Sequence, residues 1–581
     1  MGTLRQLDRT LAQLDGNSYG AYKRIKGAWV DEQAGLELHV DHVQGDPFAS
    51  PSRLRVRLEA DAHGLPAALR SNPTRRKAAA DYMLRRLARL LGGVGSKRGS
   101  QAARSGSGKS GQMWVDAGGA EVLVRSAGCF DGETLQLGLR VGLPARGRRV
   151  LGRAAALLLT QALPEALAEL GWSRFSSAQR ERAQAFVDLV EDHAHVQAQL
   201  AERGLVAFVR DGAVLPRAAG DSARPLPGAV PFESPASLRV SLPTLHHGAV
   251  EGMGLPVGVT LITGAGFHGK TTLLSAIARG VDPHVPGDGR EWVVSAPGAV
   301  KLRSEDGRSV VEVGLSGLID DLPGAAGADT RRFSTTNASG STSLAAAVVE
   351  SLEAKATALL FDEDSCATNL LIRDARMQAL IEAETITPLI DHVRPLHADA
   401  GVSTVFVIGG CGDYLEVADT VIRMDRYRAT EITARAREIV AQHPTGRAVQ
   451  EPRRALAQAP HPRRPALRSF DPRRGQRERV RARGLRELQL GESVLDLGAL
   501  EQLVDDSQAR AIGAMLAWLH ERGRPGSSVV ELAEQVLAFV DRRGLYALAP
   551  LPELAGVRSF ELVAAINRLR SLSLEADETT D

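Results

Sequence analysis

The sequence predicts an α/β fold: a largely parallel sheet in the middle of the chain, an α+β region before it and a mainly helical region after it. Three observations carry that prediction. A β-branched strand, Val259–Thr263, runs into a glycine-rich loop and then an apolar-periodic helix, Leu273–Ala278. A second apolar strand, Ala358–Phe361, stops on paired acids, Asp362 and Glu363. A third strand, in "STVFVIGGCGDY", stops on glycines.

The chain has 581 residues, too many for one hydrophobic core, and roughly three domains is the natural expectation. Hydrophobic residues make up 44% and charged residues 24%, the composition of an ordinary soluble protein and not of a disordered one. No apolar run approaches the ~20 residues needed to span a bilayer, and "MGTLRQLDRT" lacks the apolar core of a secretory signal. Cys129, Cys366 and Cys411 stand too far apart for a disulfide framework or a zinc site. Together these features read as a reduced, cytoplasmic protein.

Residues 1–235 mix strand-like segments ("GLELHVDHV", "RLRVRLEA", "TLQLGLRVGL") with helices such as "TRRKAAADYMLRRLARLLGG". The proline-rich "DSARPLPGAVPFESP" connects this α+β domain to the middle one, residues 236–435. Residues 436–581 open with about a dozen arginines between Arg447 and Arg486 and continue with helical periodicity. That arginine-rich stretch reads either as a solvated linker or as a surface for nucleic-acid phosphates. "GLPARGRR" (142–149) and "NPTRRK" (72–77) are expected to extend a basic surface. Aromatic residues are only 4%, which favours backbone contact over base stacking.

Two stretches resemble phosphate-gripping loops. Such a loop needs a strand to deliver it, glycines whose N–H groups wrap phosphates, a lysine for the β/γ charges and a hydroxyl for Mg²⁺. "GAGFHGKTT", Gly264–Thr272, meets every condition. "SGSGKSG", Ser105–Gly111, does not: Ala103 stands where the spacing wants glycine, and a strand-like segment follows where a helix should. It reads as a flexible or turn-forming loop, with a secondary contact to nucleotide, phosphate or nucleic-acid backbone as the alternative.

The residues expected to hold the nucleotide are therefore Gly264, Ala265, Gly266, Phe267, His268, Gly269, Lys270, Thr271 and Thr272. Asp362 with Thr271 is expected to hold Mg²⁺, and Glu363 to activate the attacking water. Between them, "FSTTNASGSTSLAAAVVESLEA" is polar and glycine-rich, then helical from near Leu344. Ser339, Gly340 and Ser341 at a helix N-terminus form a second anion-binding device, or simply a capped helix start.

This arrangement resembles the ATP-binding-cassette (ABC) ATPases, in which a Ser-Gly signature grips the γ-phosphate of ATP bound to a second subunit. More specifically, "FSTTNASGSTS", "LLFDEDSCATNLLIRDARMQ", "ETITPLIDHVR" and "VIGGCGDYLEVADTVIRMDRY" resemble the predicted ABC-class ATPases, a family related to a mitochondrial RNA-binding ATPase. The likeness extends upstream through "YGAYKRIKGAW" and "DHVQGDPFASPSRLRV". It implies an ABC-type P-loop NTPase cassette, ATP and Mg²⁺ as cofactors, a homodimer sharing two sites, and association with nucleic acid, RNA favoured. Lys270 and Glu363 become the catalytic pair, with Ser339, Gly340 and Ser341 completing the partner's site. Rival readings are a protein-remodelling or scaffold ATPase and a transporter motor subunit.

Two departures from the general ABC pattern matter. Gly410 stands where a switch histidine usually touches the γ-phosphate, and His268 is a partial substitute. No glutamine fits the Mg²⁺-contacting loop, where Glu305 or Asp306 is the candidate. Hydrolysis is accordingly expected to be slow, with ATP serving mainly as a clamp. Phe232 is the candidate for stacking on adenine.

Overall fold

The computed structural model describes residues 1–94, 106–220, 222–322, 329–381, 384–451, 454–456 and 462–575. These residues form two compact units, Met1–Glu191 with Val540–Gly556 and Asp192–Phe539 with Val557–Asp581.

The first unit is built on a seven-stranded sheet. Leu36–His42 and Ser52–Leu58 pair antiparallel, and their burial alternates along each strand, as a half-buried sheet requires. The helix Leu4–Gln13 starts on a capping box in which Thr3 and Gln6 satisfy each other's backbone N–H. The segment Val540–Gly556 belongs here by contact: the Tyr546 hydroxyl donates to Asp41 at 2.6 Å, and Ser126 Oγ donates to the Leu551 carbonyl at 2.7 Å.

In the same unit Gly106–Gly111 is folded as tight turns, with Ser107 N donating to the Ala145 carbonyl at 2.7 Å and Gly111 N to Gly142 O at 2.7 Å. The strand Met113–Trp114 follows it. A turn with no helix behind it matches the expectation for that loop; Ala103 and Ser105 lie outside the described residues. Arg75 of "NPTRRK" corrects another expectation. It is 5% exposed and paired with Asp188, so it adds nothing to a basic surface.

The second unit carries the six-stranded sheet that positions the site. Its strands are β1 (Val259–Thr263), β2 (Ala299–Leu302), β3 (Ala358–Asp362), β4 (Ser403–Val407), β5 (Thr420–Asp425) and β6 (Arg428–Glu431). They lie in the order β2-β3-β4-β1-β5-β6, parallel except for the β5–β6 hairpin. Every residue of β3 and β4 is buried, because strands covered on both faces read as continuous apolar runs. Phe361 and Phe406 stack with ring centroids 4.9 Å apart across that pair.

Helix α1 (Lys270–Arg279) and helix α2 (Gly340–Glu353) both start earlier than periodicity suggested. In each case the first turn is made of Gly, Ser, Thr and Lys, which carry no apolar signal.

Beside this sheet lies a four-stranded antiparallel one, in the order Arg239–Pro243, Ala249–Pro256, Leu205–Arg210, Val293–Ser295. Leu205–Arg210 therefore pairs with strands that follow the proline-rich connector, and the compact division falls at Glu191/Asp192 rather than near residue 235.

The arginine-rich segment is not simply extended. Arg473–Arg474 and Arg477–Glu478 form a hairpin, and Val480–Arg483, Glu487–Leu490 and Ser493–Asp496 form a three-stranded sheet. The helix Asp506–Arg522 packs on that sheet so closely that a Cβ on Gly513 would lie 2.7 Å from Val480.

Candidate active site

Gly264 leaves β1 with φ +135°, and a Cβ there would lie 2.2 Å from the Met424 carbonyl. Gly269, at φ +97°, caps α1 and would meet the Tyr427 ring at 2.6 Å. Only glycine fits either position, and the loop between them is moulded onto the end of β5. Lys270 Nζ donates to the carbonyls of Gly264 at 2.7 Å and Ala265 at 3.0 Å. A Cβ on Gly409 would lie 3.5 Å from that ammonium and 3.9 Å from a Glu363 oxygen, so the residues after β4 bring lysine and acid together. Thr271 is exposed in the first turn of α1, Thr272 is half-buried, and Phe267 at φ 63° is fully exposed.

Asp362 ends β3 and is 4% exposed. Its Oδ1 has no hydrogen-bond partner among the described residues. An unpartnered buried carboxylate oxygen costs free energy unless a cation or a donor completes it. That is the observation by which the residues present fit a Mg²⁺ ion.

Glu363 is held differently. Its Oε2 accepts from the backbone N–H groups of Gly409 at 2.6 Å and Gly410 at 3.1 Å. A Cβ on Gly410 would lie 3.1 Å from Oε1. The glycine at the switch position thus has a physical use: two amides orient the carboxylate, and a side chain there would crowd it.

His268 stands apart from the switch position. Its Nδ1 lies 2.9 Å from Asp425 Oδ1 at the end of β5, whereas Gly409 and Gly410 follow β4, and β4 and β5 pair with opposite edges of β1. Burial pushes the Cys366 thiol up to about 12 and the Cys411 thiol up to about 11, so neither supplies a thiolate beside the acids.

Ser339 is the N-cap of α2; its Oγ accepts from Thr342 N at 3.4 Å and lies 3.3 Å from Ser341 Oγ. A Cβ on Gly340 would lie 3.3 Å from Asp306 Oδ1. Among the described residues no hydrogen bond joins Ser339–Ser341 to the phosphate loop. Glu305 is corrected as a Mg²⁺ candidate, because its Oε2 accepts from Arg568 Nη2 at 2.9 Å and Nε at 3.1 Å. Asp306 is exposed on the side of the α2 N-terminus. Phe232 is corrected as the adenine platform: it is 3% exposed and part of the apolar core under α1.

Sequence reasoning missed Gly409 and the Asp425–Tyr427 turn. The pair of glycines after a buried strand was a usable signal for the first. Nothing in residue order announced that the turn after β5 would reach back to the phosphate loop.

A glycine loop on a central strand of a parallel sheet, with a bare buried acid at the end of the next strand but one, defines a P-loop nucleotide-binding domain. Family models place it further. The ABC-class ATPase P-loop domain matches residues 179–461, the N-terminal domain of ABC-class ATPases matches 4–171, and the MRB1590 C-terminal domain matches 479–575. The chain belongs to the ABC-class ATPase family.

It is 28% identical over 266 residues to the uncharacterized protein MJ1628 of Methanocaldococcus jannaschii, which covers 42% of this chain. The chain spans 57% of the length of that relative. The structure of cbiO1 from Clostridium perfringens, part of the ABC transporter complex cbiONQ, aligns with 42% of this chain and 96% of its own, at 11% identity and a TM-score of 0.24. Among the described residues no helix is long and apolar enough to cross a membrane.

Proposed function

We propose that this protein binds and slowly hydrolyses ATP at two sites shared between the two copies of a homodimer, and that closing of the dimer clamps nucleic acid, RNA in preference. The observation that carries the ATPase reading is the convergence of Lys270, Glu363 and the bare Asp362 oxygen at one edge of the sheet. That is the C-terminal edge of the parallel strands, where open α/β sheets take their ligands. In this reading the N–H groups from Gly264 to Gly269 and the Lys270 ammonium hold the phosphates. Asp362 and Thr271 hold Mg²⁺, which neutralises phosphate charge. Glu363, oriented by Gly409 and Gly410, accepts a proton from the attacking water. With glycine in place of the switch histidine, no imidazole relays that proton, which supports slow turnover and a clamp role.

The dimer rests on the α2 N-terminus. Ser339, Gly340 and Ser341 form a capped, partly exposed helix start with no hydrogen bond to its own chain's phosphate loop among the described residues, and a second copy would supply the phosphate it meets. Ser339→Arg is expected to leave the protein folded and able to bind ATP, but monomeric with ATP by light scattering. A dimer of unchanged stability in that variant would contradict the shared site.

The nucleic-acid reading rests on the arginine hairpin and sheet. Arg474, Arg477, Arg479, Arg481 and Arg486 are exposed and have no acidic partner among the described residues, whereas Arg473 and Arg483 pair with Asp471 and Glu487. Each arginine that neutralises a phosphate releases counterions, so affinity for single-stranded RNA should fall steeply with salt. Replacing Arg474, Arg477, Arg479 and Arg481 together with serine is expected to make the log–log salt slope shallower by up to about 3. No binding below physiological salt, or an unchanged slope, would favour a protein-remodelling ATPase instead.

A further inference from the structure

The phosphate loop fixes only one end of a nucleotide, and the order of the sheet says where there is room for the other end. Lys270, Asp362 and Glu363 gather on the β3–β4 side of β1. A triphosphate anchored there and wrapped by the loop on β1 leaves the side of the other neighbour, β5, open to the rest of the nucleotide. The C-terminal end of β5 runs into Asp425, Arg426 and Tyr427.

That turn is unusual. Asp425 pairs with Arg428, so Arg426 and Tyr427 make a two-residue hairpin loop, and their φ angles are 46° and 66°. Such a loop requires left-handed backbone at both positions, and Asn-Gly supplies it without strain. A bulky side chain there is a genuine outlier.

The turn is also tied to the phosphate loop at three points. Tyr427 N donates to the His268 carbonyl at 3.0 Å, Asp425 engages His268 Nδ1 at 2.9 Å, and the Tyr427 ring lies against Gly269. Tyr427 is nevertheless only half-buried, and Arg426 is exposed, with no hydrogen bond or ion pair among the described residues.

We propose that Arg426 and Tyr427 form the nucleoside end of the ATP site, with the Tyr427 ring as the platform for the base and the Arg426 guanidinium beside the ribose. This rests on the reading of Gly264–Thr272 as an ATP site. It gives the strained turn a use, and it fills the place from which the buried Phe232 is excluded.

The test separates base from phosphate recognition, using ATP and inorganic tripolyphosphate as probes in the presence of Mg²⁺ and the full-length chain. Tyr427→Asn keeps a residue that tolerates left-handed backbone and removes the ring. It is expected to weaken ATP binding about tenfold or more while leaving tripolyphosphate binding within twofold. Tyr427→Phe keeps the ring and is expected to bind ATP like the parent. Arg426→Asn should weaken ATP and ADP severalfold, again with tripolyphosphate unmoved. Equal losses for ATP and tripolyphosphate in Tyr427→Asn would overturn the proposal, because the ring would then only brace the loop; so would unchanged ATP binding. Should the parent itself bind neither probe, it is the ATP site that fails, and the two failures are told apart by that control.

Discussion

Glu363→Gln is expected to bind ATP as the parent does and to lose about 10²- to 10⁴-fold in turnover, the range removed with a general base. The amide oxygen of glutamine can still accept from the Gly409 and Gly410 N–H groups that hold the carboxylate, at 2.6 and 3.1 Å in the parent. It cannot take a proton from water. Binding and chemistry therefore separate in this variant, and in a shared-site dimer the uncleaved nucleotide should accumulate the closed pair. Fluorescent-nucleotide titration with single-turnover hydrolysis checks both parts. Turnover within a few-fold of the parent would remove Glu363 from the chemistry.

Lys270→Ala should fail earlier, at the binding step. The ammonium is the only cation among the described residues that is hydrogen-bonded to the phosphate loop's own carbonyls, at Gly264 and Ala265. Charge-assisted contacts to phosphate are roughly twice as strong as neutral ones, and removing one directed at developing charge costs about 10²- to 10³-fold. The expected result is loss of measurable ATP binding together with loss of at least about a hundredfold in kcat/KM, with unfolding temperature little changed because Lys270 is only half-buried. Nucleotide retention equal to the parent's would contradict the assignment of this loop.

What the sequence made legible was local. Gly264, Gly269, Lys270, Asp362 and Glu363 each announce the role proposed for them through the strand that delivers them and the glycines that surround them, and the fold puts them at the same sheet edge. What it hid depended on contacts between distant segments. Glu363 meets Gly409 and Gly410 only because β3 and β4 are neighbours. Phe232 looked like an exposed aromatic in a proline-rich stretch, yet its burial follows from the strand Leu205–Arg210 joining the second unit. Glu305 sits at the right interval for a Mg²⁺ contact, but Arg568, far along the chain, neutralises it. The arginine run concealed a small sheet because charged residues carry no apolar alternation; its buried side chains include Leu488, Leu490 and Leu495, and Val480 and Leu488 lie against the helix at Gly513.

The central claim is that each nucleotide is completed by two copies of the chain, and complementation tests it most directly. Lys270→Ala lacks a working phosphate loop and Ser339→Arg lacks a working α2 N-terminus, so each alone should be inactive. Mixed in equal amounts, the two can pair only as heterodimers with one intact composite site against the parent's two, and ATPase activity that neither shows alone should appear, at up to about half the parent's. A mixture no more active than the sum of its two components, with heterodimers present, would contradict a site shared between copies.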